Sequence, residues 1–230
     1  MFVLIGDFFT FVLENPDRVI VTAVMVIVAF ALLYFIGGDS IIFFRRKEQE
    51  DAGRNTKKVE PVIKRFASAK GYKVFTDITI ANKNTTATFD IVLIGVFGVL
   101  CINTNGLGGE IYGSAKEDEW LKIFEGERKH FPNPLDENSK KTGVLRSALS
   151  ERGHKPKFFE SLLVFTQGKT EVNAPTSLPY AYPNDMRDFI NQPKFATDNK
   201  VDIEAVYRAI ESLIVPAETA VAIEKETSDS

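Results

Sequence analysis

The chain has 230 residues, of which 44% are hydrophobic and 26% charged, with a formal net charge of −3. That length holds one ordinary domain plus a shorter segment, and the composition excludes a disordered or collagen-like chain. A lone cysteine, Cys101, excludes an internal disulfide and any cysteine-rich zinc site.

The first element is apolar. Residues 1–18 hold an aromatic, apolar stretch from Phe2 to Leu13, read as lying along an outer interface. Residues 19–36 (VIVTAVMVIVAFALLYFI) then run without a charge. At 1.5 Å per residue they span about 27 Å, close to the hydrocarbon core of a bilayer. A cleaved leader needs a basic start, whereas Asp7, Glu14 and Asp17 here face only Arg18. A buried soluble helix shows a polar stripe at helical spacing, and none recurs. The run reads as one transmembrane helix. Arg45, Arg46 and Lys47 follow it, so the reading places the N-terminus outside and the main domain in the cytoplasm, in a single-pass protein of the cell membrane.

Residues 45–58 read as a polar juxtamembrane linker. A helix follows, with Val59, Val62, Ile63, Phe66 and Ala67 on one face and Pro61 in its first turn. Alternation predicts strands over Tyr72–Ile80, Thr88–Ile94 and Phe97–Thr104, the last two joined tightly through Gly95–Gly98. Asn105-Gly106 and Gly108-Gly109 mark a turn before a short strand, Glu110–Tyr112. Asn133-Pro134, followed by Asp136 and Glu137, signals a helix start, with Leu135, Thr142, Leu145 and Leu149 inward and an end near Gly153. Phe158–Phe165 reads as a buried strand, and Cys101 as a buried structural thiol. Residues 168–215 read as an extension with a Pro- and Asn-rich loop (Asn173–Pro183), a short helix near Asp185–Ile190 and a last helix over Asp202–Ile214. Residues 216–230 read as a disordered polar tail. These elements predict a three-layer α/β domain with a mixed, largely antiparallel sheet.

Residues 1–39 carry one base against four acids, as do residues 216–230, which leaves 26 bases and 23 acids for the rest. That balance permits nucleic-acid binding without arguing for it. His130 and His154 stand apart with no ligand spacing and read as surface residues.

In order and spacing, several signatures over residues 56–167 resemble the NERD (nuclease-related domain) family. They are Glu60 on the first helix, the strand Phe89-Asp90-Ile91-Val92-Leu93-Ile94, the strand Gly98-Val99-Leu100-Cys101-Ile102, Gly109-Glu110-Ile111-Tyr112-Gly113 with Trp120, and Asn133-Pro134-Leu135. The family pattern has glutamine where this chain has Glu137. The domain so defined covers 59–167. The resemblance implies a restriction-endonuclease-like fold, similar to the PD-(D/E)xK nucleases. In those enzymes an Asp on one strand and a Glu on the next hold Mg²⁺, and a Lys two residues beyond the Glu acts on water against a phosphodiester. Residues i and i+2 of a strand share a face, so the pair addresses one phosphate. Hard carboxylate oxygens suit Mg²⁺, which would be the cofactor if the site is active.

Here Asp90 is kept, but Asn103-Thr104-Asn105 stands at the E-x-K position. Both catalytic side chains are replaced by neutral amides, so Glu60, Asp90, Asn103 and Asn105 read as vestigial site positions. Lys64, one turn after Glu60, is a candidate relocated lysine, and Glu110 a candidate second metal ligand beside Asp90. Plainer readings stand beside these: Glu60–Lys64 as a surface pair, Asn-Thr-Asn-Gly as a turn, Asp90 as a solvated strand-start residue, and Trp120 as core packing. The leading expectation is a nuclease-like domain that binds nucleic acid with catalysis lost or strongly weakened. The alternatives are an active metal-dependent nuclease with relocated residues and a membrane scaffold for a protein partner. Lys57, Lys58, Lys64, Arg65, Lys140, Lys141 and Arg146 read either as a basic face or as ordinary solvated surface.

Overall fold

The structure is a computed structural model that describes residues 56–216 and 219–220. The expected span, its leading segment and most of the linker lie outside the described residues. Among the described residues no helix is long and apolar enough to cross a membrane.

Helix α1 covers residues 56–70. Val59, Ile63 and Ala67 are buried, as the apolar spacing requires. Residues 56–58, expected in the linker, are already helical, so Pro61 lies beyond the first turn rather than in it. Its side is exposed, and water can serve the carbonyl of Lys57 that a proline leaves without a donor.

The main sheet has five strands in the order β1-β2-β3-β7-β9. Strands β1 (Lys73–Asn82), β2 (Thr85–Gly95) and β3 (Gly98–Asn105) form an antiparallel meander. Strands β7 (Phe158–Phe165) and β9 (Tyr180–Ala181) extend it in parallel. The β2–β3 connection is tight because Gly98 takes φ 141°, and a Cβ there would lie 2.0 Å from the carbonyl oxygen of Phe158.

Both faces of this sheet are covered. Ile91, Leu93, Leu100 and Ile102 pack with α1 and with Met186, Ile190 and Phe195. Val92, Ile94, Val99 and Cys101 pack on the opposite face with helix α2 (Pro134–Glu151) and with the last helix. A short helix α3 (Met186–Ile190) and the final helix α4 (Ile203–Glu211, capped by Asp202) complete the set. This is a three-layer α/β domain with mixed sheets. Burial pushes the Cys101 thiol up to about 12, which keeps it protonated inside this core.

A second sheet, in the order β6-β5-β4-β8, joins β4 (Gly109–Tyr112), β5 (Glu119–Phe124), β6 (Glu127–Pro132) and β8 (Thr170–Asn173). Strands β5, β6, β8 and β9 are additions to the sequence expectation. Strand β5 is buried irregularly, β6 is almost wholly exposed, and β8 and β9 are only four and two residues long, so alternation leaves little trace in any of them. Trp120 is fully buried, as core packing, and donates its indole N–H to the Ser114 carbonyl at 3.0 Å. Gly113 makes room for that ring. Asn133 caps α2 by accepting from the N–H groups of Leu135 (3.0 Å) and Asp136 (3.4 Å). Its amide also donates to the Glu117 carbonyl at 2.8 Å, tying the helix start to the β4–β5 connection. Beyond α4, the N–H groups of Thr219 and Ala220 donate to the Pro216 carbonyl at 3.0 and 3.1 Å and Ala220 is buried; the rest of the expected tail lies outside the described residues.

Candidate functional site

Asp90 sits where two irregularities meet. The β1–β2 ladder skips the pair Asp77–Asp90, and Asp77 adopts a left-handed φ of 52°. On one side of the skip Phe75 and Val92 face the α2 layer; on the other side Ile78 and Phe89 do. Both strands therefore change face across this point, since regular alternation would have kept Phe89 with Ile91 on the α1 side.

The β2–β3 ladder also ends here, at Ile91↔Ile102. Strand β3 goes on pairing with β7 as far as Asn105↔Phe165, so the sheet opens as a fork between β2 and β3. Side chains close the gap in place of the backbone. The Asp90 N–H donates to Asn103 Oδ1 at 2.9 Å. In return, Asp90 Oδ2 accepts from both the N–H and the hydroxyl of Thr104, each at 2.6 Å. A carboxylate that accepts two short hydrogen bonds is held firmly in place.

The amide of Asn103 is spent entirely inside the protein. Its Nδ2 donates to Asn138 Oδ1 on α2 at 2.7 Å, and the side chains are almost completely buried. The orientation follows from the donors available. The Asp90 N–H must meet an oxygen, which turns the Asn103 NH₂ toward α2 and leaves Asn138 Nδ2 as the one buried side-chain polar atom without a partner among the described residues. Thr142 donates its hydroxyl to the Asn138 carbonyl at 2.9 Å, which is a local helix contact.

Asn105 behaves as the turn reading expects. Its Oδ1 accepts from the Leu107 N–H at 2.8 Å, an Asx turn that starts the path to β4. Its backbone carbonyl accepts from Thr166 N at 2.9 Å and Thr166 Oγ1 at 3.1 Å. Glu60 and Lys64 pair with each other on α1 at 2.5 Å, the lysine being 53% exposed, the geometry of a surface i,i+4 pair. Glu110 is exposed in the second sheet and accepts from the Tyr112 hydroxyl at 2.6 Å.

Of the expected positions, the structure thus joins Asp90 and Asn103 directly and places Asn105 next along the same strand. Glu60–Lys64 and Glu110 make their contacts elsewhere. Sequence reasoning overlooked the roles of Thr104, Asn138 and Thr166, and took Lys58 only as one of several scattered bases, whereas it donates to the Thr166 carbonyl at 3.1 Å. Thr104 was legible as the middle residue of Asn-Thr-Asn; the others come from distant elements.

The donor set does not fit a carboxylate-bound divalent cation. The fork supplies one carboxylate, one oxygen of which already takes two hydrogen bonds, and the Asn103 carbonyl oxygen is occupied by the Asp90 N–H. Among the described residues no group of three or more His, Cys, Asp or Glu is placed to hold a metal ion. Mg²⁺ prefers several hard, charged oxygens, which the fork does not offer.

No curated protein and no solved structure matches the chain. The family model described as the nuclease-related domain, NERD, matches residues 52–166. That stretch is half of the chain and takes in α1, the β1–β3 meander, the fork, the Gly113–Trp120 contact, the Asn133 cap and β7. The chain therefore belongs to the NERD, nuclease-related domain, family.

Proposed function

We propose that this NERD protein is a membrane-anchored, nucleic-acid-binding module on the cytoplasmic side whose phosphodiester hydrolysis is lost or strongly weakened. The observation that carries this reading is the fate of Asn103. It stands where an acid is expected, and its amide is consumed by the Asp90 N–H and by Asn138. Asn105 brings no cation, and its side chain closes a turn. Removing one positioned electrostatic group costs an enzyme about 10²–10³ in rate, and here two are absent. A restriction-endonuclease-like arrangement that keeps Asp90 but lacks its partners is left without the groups that cleave a phosphodiester, and binding is the role that remains. The anchor rests on the uncharged run 19–36 and its basic following flank.

One preparation tests both parts. The full chain is expected in the alkali-resistant membrane fraction and, after detergent extraction, to leave DNA and RNA uncut in Mg²⁺ or Mn²⁺. Robust cutting that Asp90→Ala abolishes would overturn the catalytic reading. Release of the chain by alkaline carbonate would end the anchor.

A further inference from the structure

The contact that sequence reasoning overlooked most completely is that of Lys58. Its ammonium reaches from α1 to the carbonyl of Thr166, the residue after β7. Thr166, which is 1% exposed, donates in turn through its N–H and hydroxyl to the carbonyl of Asn105. One hydrogen-bonded residue therefore separates a helix lysine from the strand position at which the chain carries an amide in place of a cation. Lys64, the lysine singled out by spacing, is bound to Glu60 instead.

Lys58 also lines a cleft of about 590 Å³ with Val62, Pro183, Asn184, Arg187 and Asp188. Two cations and one carboxylate face this space. Neither Lys58 nor Arg187 takes part in an ion pair among the described residues. A lysine ammonium carries three donors, of which the Thr166 carbonyl uses one, and a guanidinium carries five. The cleft thus offers several cationic N–H donors next to the β3–β7 end of the fork.

We infer that Lys58 and Arg187 form an anion site that grips a phosphate of a nucleic-acid backbone beside the fork, an inference that rests on the nucleic-acid reading above. The choice between a nucleic acid and an acidic lipid surface follows from the charge layout. A lipid surface is recognised by a broad cluster of several bases. Here two bases line a concave site bordered by Asp188, with Asp185 close by in sequence and Glu60 on the same helix as Lys58. Such a cradle suits one phosphodiester held end-on, with the chain continuing past the fork.

The test uses the full chain in detergent micelles and a fluorescent single-stranded oligonucleotide, with affinity followed against salt. Lys58→Gln with Arg187→Gln is expected to weaken binding about tenfold at low salt and to make the log–log salt slope shallower by about 1.4, the value for two lost contacts to a single strand. Glutamine keeps an N–H donor on the side of the Thr166 carbonyl, and the melting temperature of the double variant is followed to separate lost binding from lost stability; Lys58→Arg with Arg187→Lys should retain most of the affinity. Unchanged affinity and slope in the double glutamine variant would overturn the site while leaving nucleic-acid binding intact. If the unaltered chain binds no oligonucleotide, the functional reading falls instead. Shielding of Lys58 from amine labelling by inorganic pyrophosphate, lost in Arg187→Gln, would then still support the anion site, and no shielding would sink it. Lys58-dependent binding to phosphatidylglycerol vesicles without oligonucleotide binding would overturn the assignment of the ligand.

Discussion

Strands β2 and β3 have two ends, and the same pair of strands treats them in opposite ways. At the Gly95–Gly98 end the backbone ladder is complete, and Gly98 lies so close to Phe158 that no side chain fits. At the Asp90–Asn105 end the ladder stops, the strands part, and a carboxylate and an amide carry the hydrogen bonds that the backbone no longer makes. A closed end held by backbone is rigid and chemically mute. An open end held by side chains can differ between members of a family without loss of the fold, because each replacement needs only to satisfy the same few donors and acceptors. At position 103 an amide satisfies the Asp90 N–H and Asn138 Oδ1 and leaves the β2–β3 hairpin intact.

The contrast can be broken most severely at the closed end. Gly98→Ala is expected to cost about 3 kcal/mol or more, from a strained positive φ and a collision with backbone that cannot move aside, read as a fall in the denaturation midpoint or loss of soluble protein. A midpoint near that of the unaltered chain would show that the two ends are equally tolerant. At the open end Asn103→Ala leaves the Asp90 N–H and Asn138 Oδ1 without their partner, and about 1–3 kcal/mol should be lost in equilibrium unfolding. A negligible change would mean that water replaces the amide and that the fork is wetter than its burial indicates. The smallest effect belongs to α1. Glu60→Gln with Lys64→Gln should shift stability by only about 0.2–0.5 kcal/mol and leave oligonucleotide affinity nearly unchanged, in contrast to the Lys58 and Arg187 variants. A large loss of binding there would return the cation of the site to Lys64.

Much of the fold was legible from local pattern. The Phe158–Phe165 strand and the Asn133 cap agree with the sequence expectation residue for residue, because an apolar run bounded by turns and an Asn-Pro helix start are local signals. The second sheet was largely illegible. Strand β6 reads Glu-Arg-Lys-His-Phe-Pro and is exposed along most of its length, so it is held by pairing with β5 and by the Glu125–Gly126 turn, both with positive φ, rather than by burying a face. The β1–β2 skip at Asp77 and Asp90 was invisible for a related reason. Alternation can be read only within one strand, whereas this fault exists in the pairing of two.

By itself, the sequence determined the elements that depend on neighbours a few residues apart. These are the apolar face of α1, the β2–β3 hairpin, the start of α2, and the presence of neutral amides at 103 and 105 where the family resemblance implies an acid and a base. Only the tertiary structure decided which residues those amides would meet. Asn138 lies 35 residues from Asn103, and Thr166 lies 108 from Lys58; no helical or strand period connects such positions. The helix period makes Glu60 and Lys64 neighbours on any α1, and hence the candidate that spacing favours. Packing of α1 against the sheet brings Lys58 instead to the end of β7, because the buried stripe of Val59, Ile63 and Ala67 fixes which residues of the helix can reach the fork.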